Sequence, residues 1–197
     1  MSYENTSPLS QFNGFNEHRS LRGAHSFLSP SQYHWVNYTD GKLIETYENK
    51  EAAARGVTLH NLAAELIELN IKVTNNNLTF NRYVNDAIGY KMTPEVLLYY
   101  SDNCFGTTDA ISFRRNKLRI HDLKTGVTPA NITQLIVYAA IFCLEYRQDP
   151  NSIEIELRIY QNDEITILEP EPIDILTVME KIVHFDKLID RYNEEPQ

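Results

Sequence analysis

The stretch CFGTTDAISFRRNKLRIHDLK, residues 104 to 124, constrains this chain more tightly than any other. It alternates in the manner of two half-buried strands, and Arg115 and Asn116 stand where a two-residue hairpin turn is wanted. If Arg114 pairs with Lys117, the remaining partners follow, and Asp109 falls directly opposite Asp122. Directly opposed side chains have Cβ atoms roughly 5 Å apart, and like charges there repel. Such a pair requires a cation or a raised pKa, and a divalent metal would meet that requirement. Because strand side chains alternate, Asp122 and Lys124 share a face with Leu118 and Ile120 and emerge together at the strand's end. A turn at Asn116 and Lys117 would instead set Asp109 against Lys124, and in either register the three groups remain neighbours. The competing explanation is an Asp122–Lys124 ion pair at a strand end with Asp109 capping a turn.

With 197 residues, 42% of them hydrophobic, the chain is long enough for one α/β domain with a real core and short for two. The expected organisation is a flexible arm over residues 1–28, rich in Asn, Ser and Gly, followed by a single domain over 29–197. Cys104 and Cys143 stand far apart without CxxC spacing, which argues against a disulfide framework, a zinc ribbon or a cysteine-ligated cluster and fits a reducing, cytoplasmic setting. No apolar run approaches the roughly 20 residues of a membrane span, and the start lacks the build of a signal peptide. The formal charge of −9 opposes nucleic-acid binding through the long-range field. It does not exclude it, since an enzyme holding phosphate through divalent metal needs acids where it works. Arg114, Arg115, Lys117 and Arg119 could supply a substrate-contact strip, or simply a solvated hairpin tip.

Along the chain, Ser29 and Pro30 open a short helix whose Tyr33, Trp35 and Tyr38 are expected in the core. From Lys50 to Asn70, one stripe (Ala53, Val57, His60, Ala64, Ile67, Ile71) and a second of leucines (59, 62, 66, 69) predict a helix buried on two sides. A shorter helix follows the Asn-rich break at 74–77, then the segment PEVLLYYS and the hairpin. Thr128–Pro129 signals the start of a helix reaching Gln148. SIEIELRIYQ and DEITILEP read as strands joined by an Asn162–Asp163 turn, and a helix closes the chain. Neither an internal repeat nor a P-loop is present, which argues against an ATP-driven motor.

His60 lies among Ala53, Gly56, Ala63 and Ala64, so its helix backbone can approach a neighbour closely. An imidazole there is a core residue or a metal ligand. Gln134 and Tyr138 are four apart on the helix after DLKTG and project from one face.

Together GVTLH, GTTDAI, IHDLKTG and QLIVYA closely resemble the RecB-like branch of the PD-(D/E)XK nuclease superfamily over residues 50 to 145, and LSPSQYHWVN resembles the start of its phage and prophage exonucleases. That resemblance implies a restriction-endonuclease-like core, a central mixed β-sheet flanked by helices. It implies Mg²⁺ or Mn²⁺ held by His60, Asp109, Asp122 and the Leu123 carbonyl. Lys124 would position or deprotonate the attacking water, and Gln134 and Tyr138 would orient phosphate and lysine. The implied activity is hydrolysis of DNA, as an exonuclease on duplex ends in phage-type recombination, in the cytoplasm of a bacterial host. A ring-shaped homo-oligomer and a single-strand annealing protein are the implied partners. Thr108 stands where the superfamily's name has proline, and two cysteines cannot hold the iron–sulfur cluster of the repair-helicase relatives. The rival readings are an inactive binding module of the same fold, such as a phage counter-defence protein, and a hydrolase of a small phosphate.

Overall fold

The computed structural model describes residues 26–194. Contacts divide the chain into two compact units, Met1–Asn49 and Lys50–Gln197, and the expected arm over 1–28 lies almost wholly outside the described residues. In the first unit a 3₁₀ helix, Pro30–Asn37, follows Ser29. Its aromatics are not core: Tyr33 and Tyr38 are exposed and Trp35 is half-buried, its indole N–H donating to the Ser29 carbonyl at 3.0 Å. A 3₁₀ segment of this length offers no continuous apolar face on which to bury them.

Helix α1, Asp40–Glu68, begins ten residues before the apolar periodicity does. The Thr39 hydroxyl accepts the Lys42 N–H at 3.3 Å and starts the helix without an apolar stripe. It ends at Asn70, whose φ of 54° allows Ile71 N–H to reach the Leu66 carbonyl at 2.8 Å, a Schellman closure. Only Gly56, Ala63 and Ile67 are buried, whereas Val57, Leu59, Leu62 and Leu69 are exposed. The expected second buried face is therefore reduced to Leu66, which packs half-buried against the core, while Leu59, Leu62 and Leu69 of the same stripe stay exposed.

The second unit is built on a five-stranded mixed sheet in the order β1-β2-β3-β4-β5. Its strands are β1 (Thr93–Ser101), β2 (Cys104–Arg114), β3 (Lys117–Leu123), β4 (Glu154–Gln161) and β5 (Glu164–Leu168). All neighbours are antiparallel except β3 and β4, which are parallel. The β2–β3 ladder pairs Arg114 with Lys117 and continues to Ala110 opposite His121, so the register is the one with a tight two-residue turn. Arg115 and Asn116 have φ of 52° and 58°, and Asn162 and Asp163 have 51° and 59°, the type I′ geometry that matches strand twist.

The remaining helices are α2 (Thr79–Gly89), α3 (Thr133–Glu145) and α4 (Pro172–Glu194). On one sheet face Leu118, Ile120, Ile155, Leu157 and Ile159 pack with α3 and Ile175 of α4; on the other, Ala110, Leu123 and Tyr160 pack with α2 and with Ala63 and Ile67 of α1. Helix α3 starts four residues later than Thr128–Pro129 indicates. The Gln161 side chain satisfies the backbone there, donating to the Gly126 and Thr128 carbonyls at 2.6 and 2.8 Å and accepting the Ala130 N–H at 3.0 Å. These bonds hold residues 126–130 out of the helix. Among the described residues no helix is long and apolar enough to cross a membrane.

Helix α2 has Leu78 at its N-cap, which cannot cap it. Asp163, from the distant β4–β5 turn, does so instead: its Oδ1 accepts the Thr79 N–H at 2.7 Å and hydroxyl at 3.0 Å. An anionic acceptor at a helix N-terminus is also favoured by the dipole. Asp163→Ala should lower stability by about 1–2 kcal/mol in urea unfolding, the usual worth of a cap. Asp163→Asn, which keeps an acceptor and tolerates the left-handed φ, should lose less.

Candidate active site

The hairpin ladder stops one step short of the two aspartates. Beyond Ala110 and His121 the next in-register pair is Asp109 and Asp122, but here a side chain takes over from backbone: Asp109 Oδ2 accepts the Leu123 N–H at 2.8 Å. The other oxygen, Oδ1, faces His60 Nδ1 of α1 at 3.4 Å. In a strand a residue's N–H and C=O lie on the same edge, so the Leu123 carbonyl also points toward the β2 side.

His60 reaches this point because α1 comes close. A Cβ added at Gly56 would lie 2.7 Å from Thr125 Oγ1, a distance no side chain tolerates without a shift. The small-residue face thus acts as the sequence implied, with the loop after β3 lying against it.

Asp122 is buried, 4% exposed, and its Oδ1 accepts from Lys124 Nζ at 2.9 Å. Its Oδ2 is buried without a hydrogen-bond partner among the described residues. An unpaired buried carboxylate oxygen is costly and calls for a cation or a proton. Lys124 Nζ also donates to Gln134 Oε1 at 3.1 Å, Gln134 Nε2 to the Tyr138 hydroxyl at 3.4 Å, and that hydroxyl to the Thr107 carbonyl at 2.7 Å. A chain of polar contacts therefore runs from β3 through α3 to β2. Gly106 permits its last link, since a Cβ there would stand 3.0 Å from the Tyr138 ring.

One residue was not foreseen. Glu95 of β1 joins His60 and Asp109 in a group whose ligand atoms lie within 4.8 Å of one another. It sits opposite Asp109, between the pairs Pro94–Ala110 and Val96–Thr108, and its φ is 51°. The register is the same on both sides, so no residue is inserted; the chain is twisted at Glu95 alone. A non-glycine residue in the left-handed region costs on the order of 1–3 kcal/mol and persists where the surroundings impose it. Nothing in the local alternation signals this conformation. The glutamate itself was the available signal, an acid in a strand spaced fourteen residues from Asp109.

The arrangement concentrates acid. Burial, with the Asp109 carboxylate second, raises the Glu95 carboxyl above its ordinary 4.5, although His60 opposes the shift. Burial and then Asp109 likewise raise Asp122 above 3.8 against the pull of Lys124. His60 is raised above 6.5, chiefly by its hydrogen bond to Asp109. Burial, reinforced by Asp109, Glu95 and Asp122, pushes the Tyr83 phenol well up and keeps it neutral beside the acids. His60, Glu95 and Asp109 offer one imidazole and two carboxylates, with the unpaired Asp122 oxygen nearby, a donor set that could hold a metal ion.

The basic strip lies elsewhere. Arg114, Arg115 and Lys117 gather at the hairpin tip, where Arg114 and Lys117 stand five strand residues or about 17 Å from the aspartates, and Arg119 stands three residues from Asp122. Lys117 is engaged by Glu154, Glu156 and Glu169 at 3.2–3.5 Å, and Arg119 by Glu156 at 3.2 Å.

Glu95, Asp122 and His60 each bind protons more tightly in the folded protein than in the unfolded chain. Each therefore contributes stability that is full below its ordinary pKa and is lost as pH rises through its raised folded value. A cation held by these groups must displace the protons, so the Mn²⁺-induced rise in melting temperature should grow between about pH 5 and about pH 8. Glu95→Gln should leave the metal-free protein at least as stable and weaken that rise; a Mn²⁺ titration followed by thermal denaturation measures both. A search among known proteins adds no relative to this picture: no family model matches the chain, and neither a curated protein nor a solved structure matches it.

Proposed function

We propose that the protein is a metal-dependent deoxyribonuclease with a PD-(D/E)XK core of the RecB-like kind, hydrolysing phosphodiester bonds from the ends of duplex DNA. The observation that carries this reading is the end of β3, where Asp122 and Lys124 emerge together beside Asp109, with His60 and Glu95 closing the acidic side and Gln134 the other. An ion pair at a strand end would need none of these additional groups.

His60, Glu95, Asp109 and Asp122 would hold Mg²⁺ or Mn²⁺, with the Leu123 carbonyl beside them. Such an ion, when bound, supplies a Lewis acid for phosphate and lowers the pKa of water. The chain's own residues supply orientation. Asp122 and Gln134 hold the Lys124 ammonium from two sides, so its position is fixed and it would stabilise the charge that develops on a phosphate oxygen bound beside it. Tyr138, anchored on the Thr107 carbonyl, fixes Gln134 and through it the lysine. A role in phage-type recombination beside a single-strand annealing protein, and a ring-shaped assembly giving processivity, belong to the same proposal.

Purified protein should degrade linear duplex DNA with Mg²⁺ or Mn²⁺, spare closed circles and stop in EDTA. Lys124→Ala should abolish cleavage, by at least about a hundredfold as expected for loss of a positioned acid–base or charge-stabilising group, while keeping the Mn²⁺-induced thermal shift. DNA bound but not cut in either metal would favour the inactive binding module instead.

A further inference from the structure

The four cations of the hairpin tip do not line the acidic site, and what they line is a cavity of its own. It has a volume of about 610 Å³ and lies between the end of α2 and the β2–β3 turn, with Tyr90, Lys91, Arg114, Arg115 and Arg119 among its walls and one acid, Glu154, which is 3.5 Å from Lys117. A chain with a formal charge of −9 has here collected five of its 18 lysines and arginines, counting Lys117.

These cations fall into two groups. Glu156, buried at 6% exposure, is shared by Lys117, Arg119 and Arg158 at 3.2, 3.2 and 3.0 Å and locks them in place. Among the described residues Lys91, Arg114 and Arg115 have no acidic partner and are exposed. Their backbones present them deliberately: Lys91 occupies the left-handed position that ends α2, with φ 55°, and Arg115 the first left-handed position of the turn, with φ 52°. Glycine or asparagine is the usual occupant of both. The aromatic wall, Tyr90, carries the guanidinium groups of Arg119 and Arg158, 4.5 and 4.9 Å from its centroid, so its ring is already engaged with cations. Exposed cations without acidic partners are the chemistry that binds backbone phosphate.

We propose that this cavity is a second nucleic-acid contact, binding backbone phosphates of the strand about 17 Å from the acidic cluster. The choice of a polynucleotide over a free phosphate rests on the nuclease reading; the site itself does not. It compensates locally for the repulsion that the overall charge imposes on DNA, and it holds duplex whether or not hydrolysis is under way.

The fold supplies a clean test, because Lys91→Gly and Arg115→Asn remove cations while suiting the left-handed backbone. These two changes with Arg114→Gln should leave the melting temperature unchanged or higher. Binding of a fluorescent duplex in EDTA, followed by anisotropy across a salt series, should weaken by about tenfold or more. The slope of log affinity against log salt should fall by about 2 to 3, one for each phosphate that the variant no longer neutralises. Asp122→Asn should keep the wild-type slope. Wild-type affinity and slope in the triple variant would overturn the proposal, as would loss of inorganic pyrophosphate binding in that variant with duplex binding intact. Tip-dependent DNA binding by a protein that cleaves nothing would defeat the nuclease reading and leave this one standing; cleavage with tip-independent binding would do the reverse.

Discussion

The contact on which the site depends is the hydrogen bond from the Leu123 N–H to Asp109. It stands where the β2–β3 ladder should continue. By substituting a carboxylate for a backbone carbonyl, it ends the pairing, keeps the two strands together and turns one oxygen of Asp109 toward α1. The strands cannot separate without freeing a buried N–H, and they cannot pair fully without expelling the acid. Asp109 is thus both a structural terminator and the hub to which His60, Glu95 and Asp122 are coupled.

The acids around it repel one another, and the fold tolerates them through distinct devices. Asp122 leans on Lys124, Asp109 on an N–H and an imidazole, and Glu95 stays near the surface in a twisted backbone. At the other end of the hairpin the logic is inverted: one buried acid, Glu156, binds three cations together. A single pair of strands therefore separates negative from positive charge along its length, although the chain as a whole is acidic.

The hairpin register, both two-residue turns and the shared face of Gln134 and Tyr138 were legible in the sequence, because each rests on short-range rules: alternation, a two-residue turn, a spacing of four along a helix; the link from Gln134 to Lys124 was implied only by the family resemblance. What was not legible depends on distant groups. The start of α3 is set by Gln161, about thirty residues away, and the cap of α2 by Asp163, more than eighty residues away. The conformation of Glu95 is imposed across the sheet. The exposed leucines of α1 share the pattern of buried ones, since periodicity reports which residues are apolar and not whether a partner is present to cover them.

The near-contact of Gly56 with Thr125 has a mechanical meaning. It works as the stop on a calliper whose jaws are α1, carrying His60, and the end of β3, carrying Asp122. With no side chain at position 56 the jaws close until the helix meets the Thr125 hydroxyl. The absence of a methyl group on this helix, one turn from His60, thus sets how near the imidazole comes to the Asp109 carboxylate.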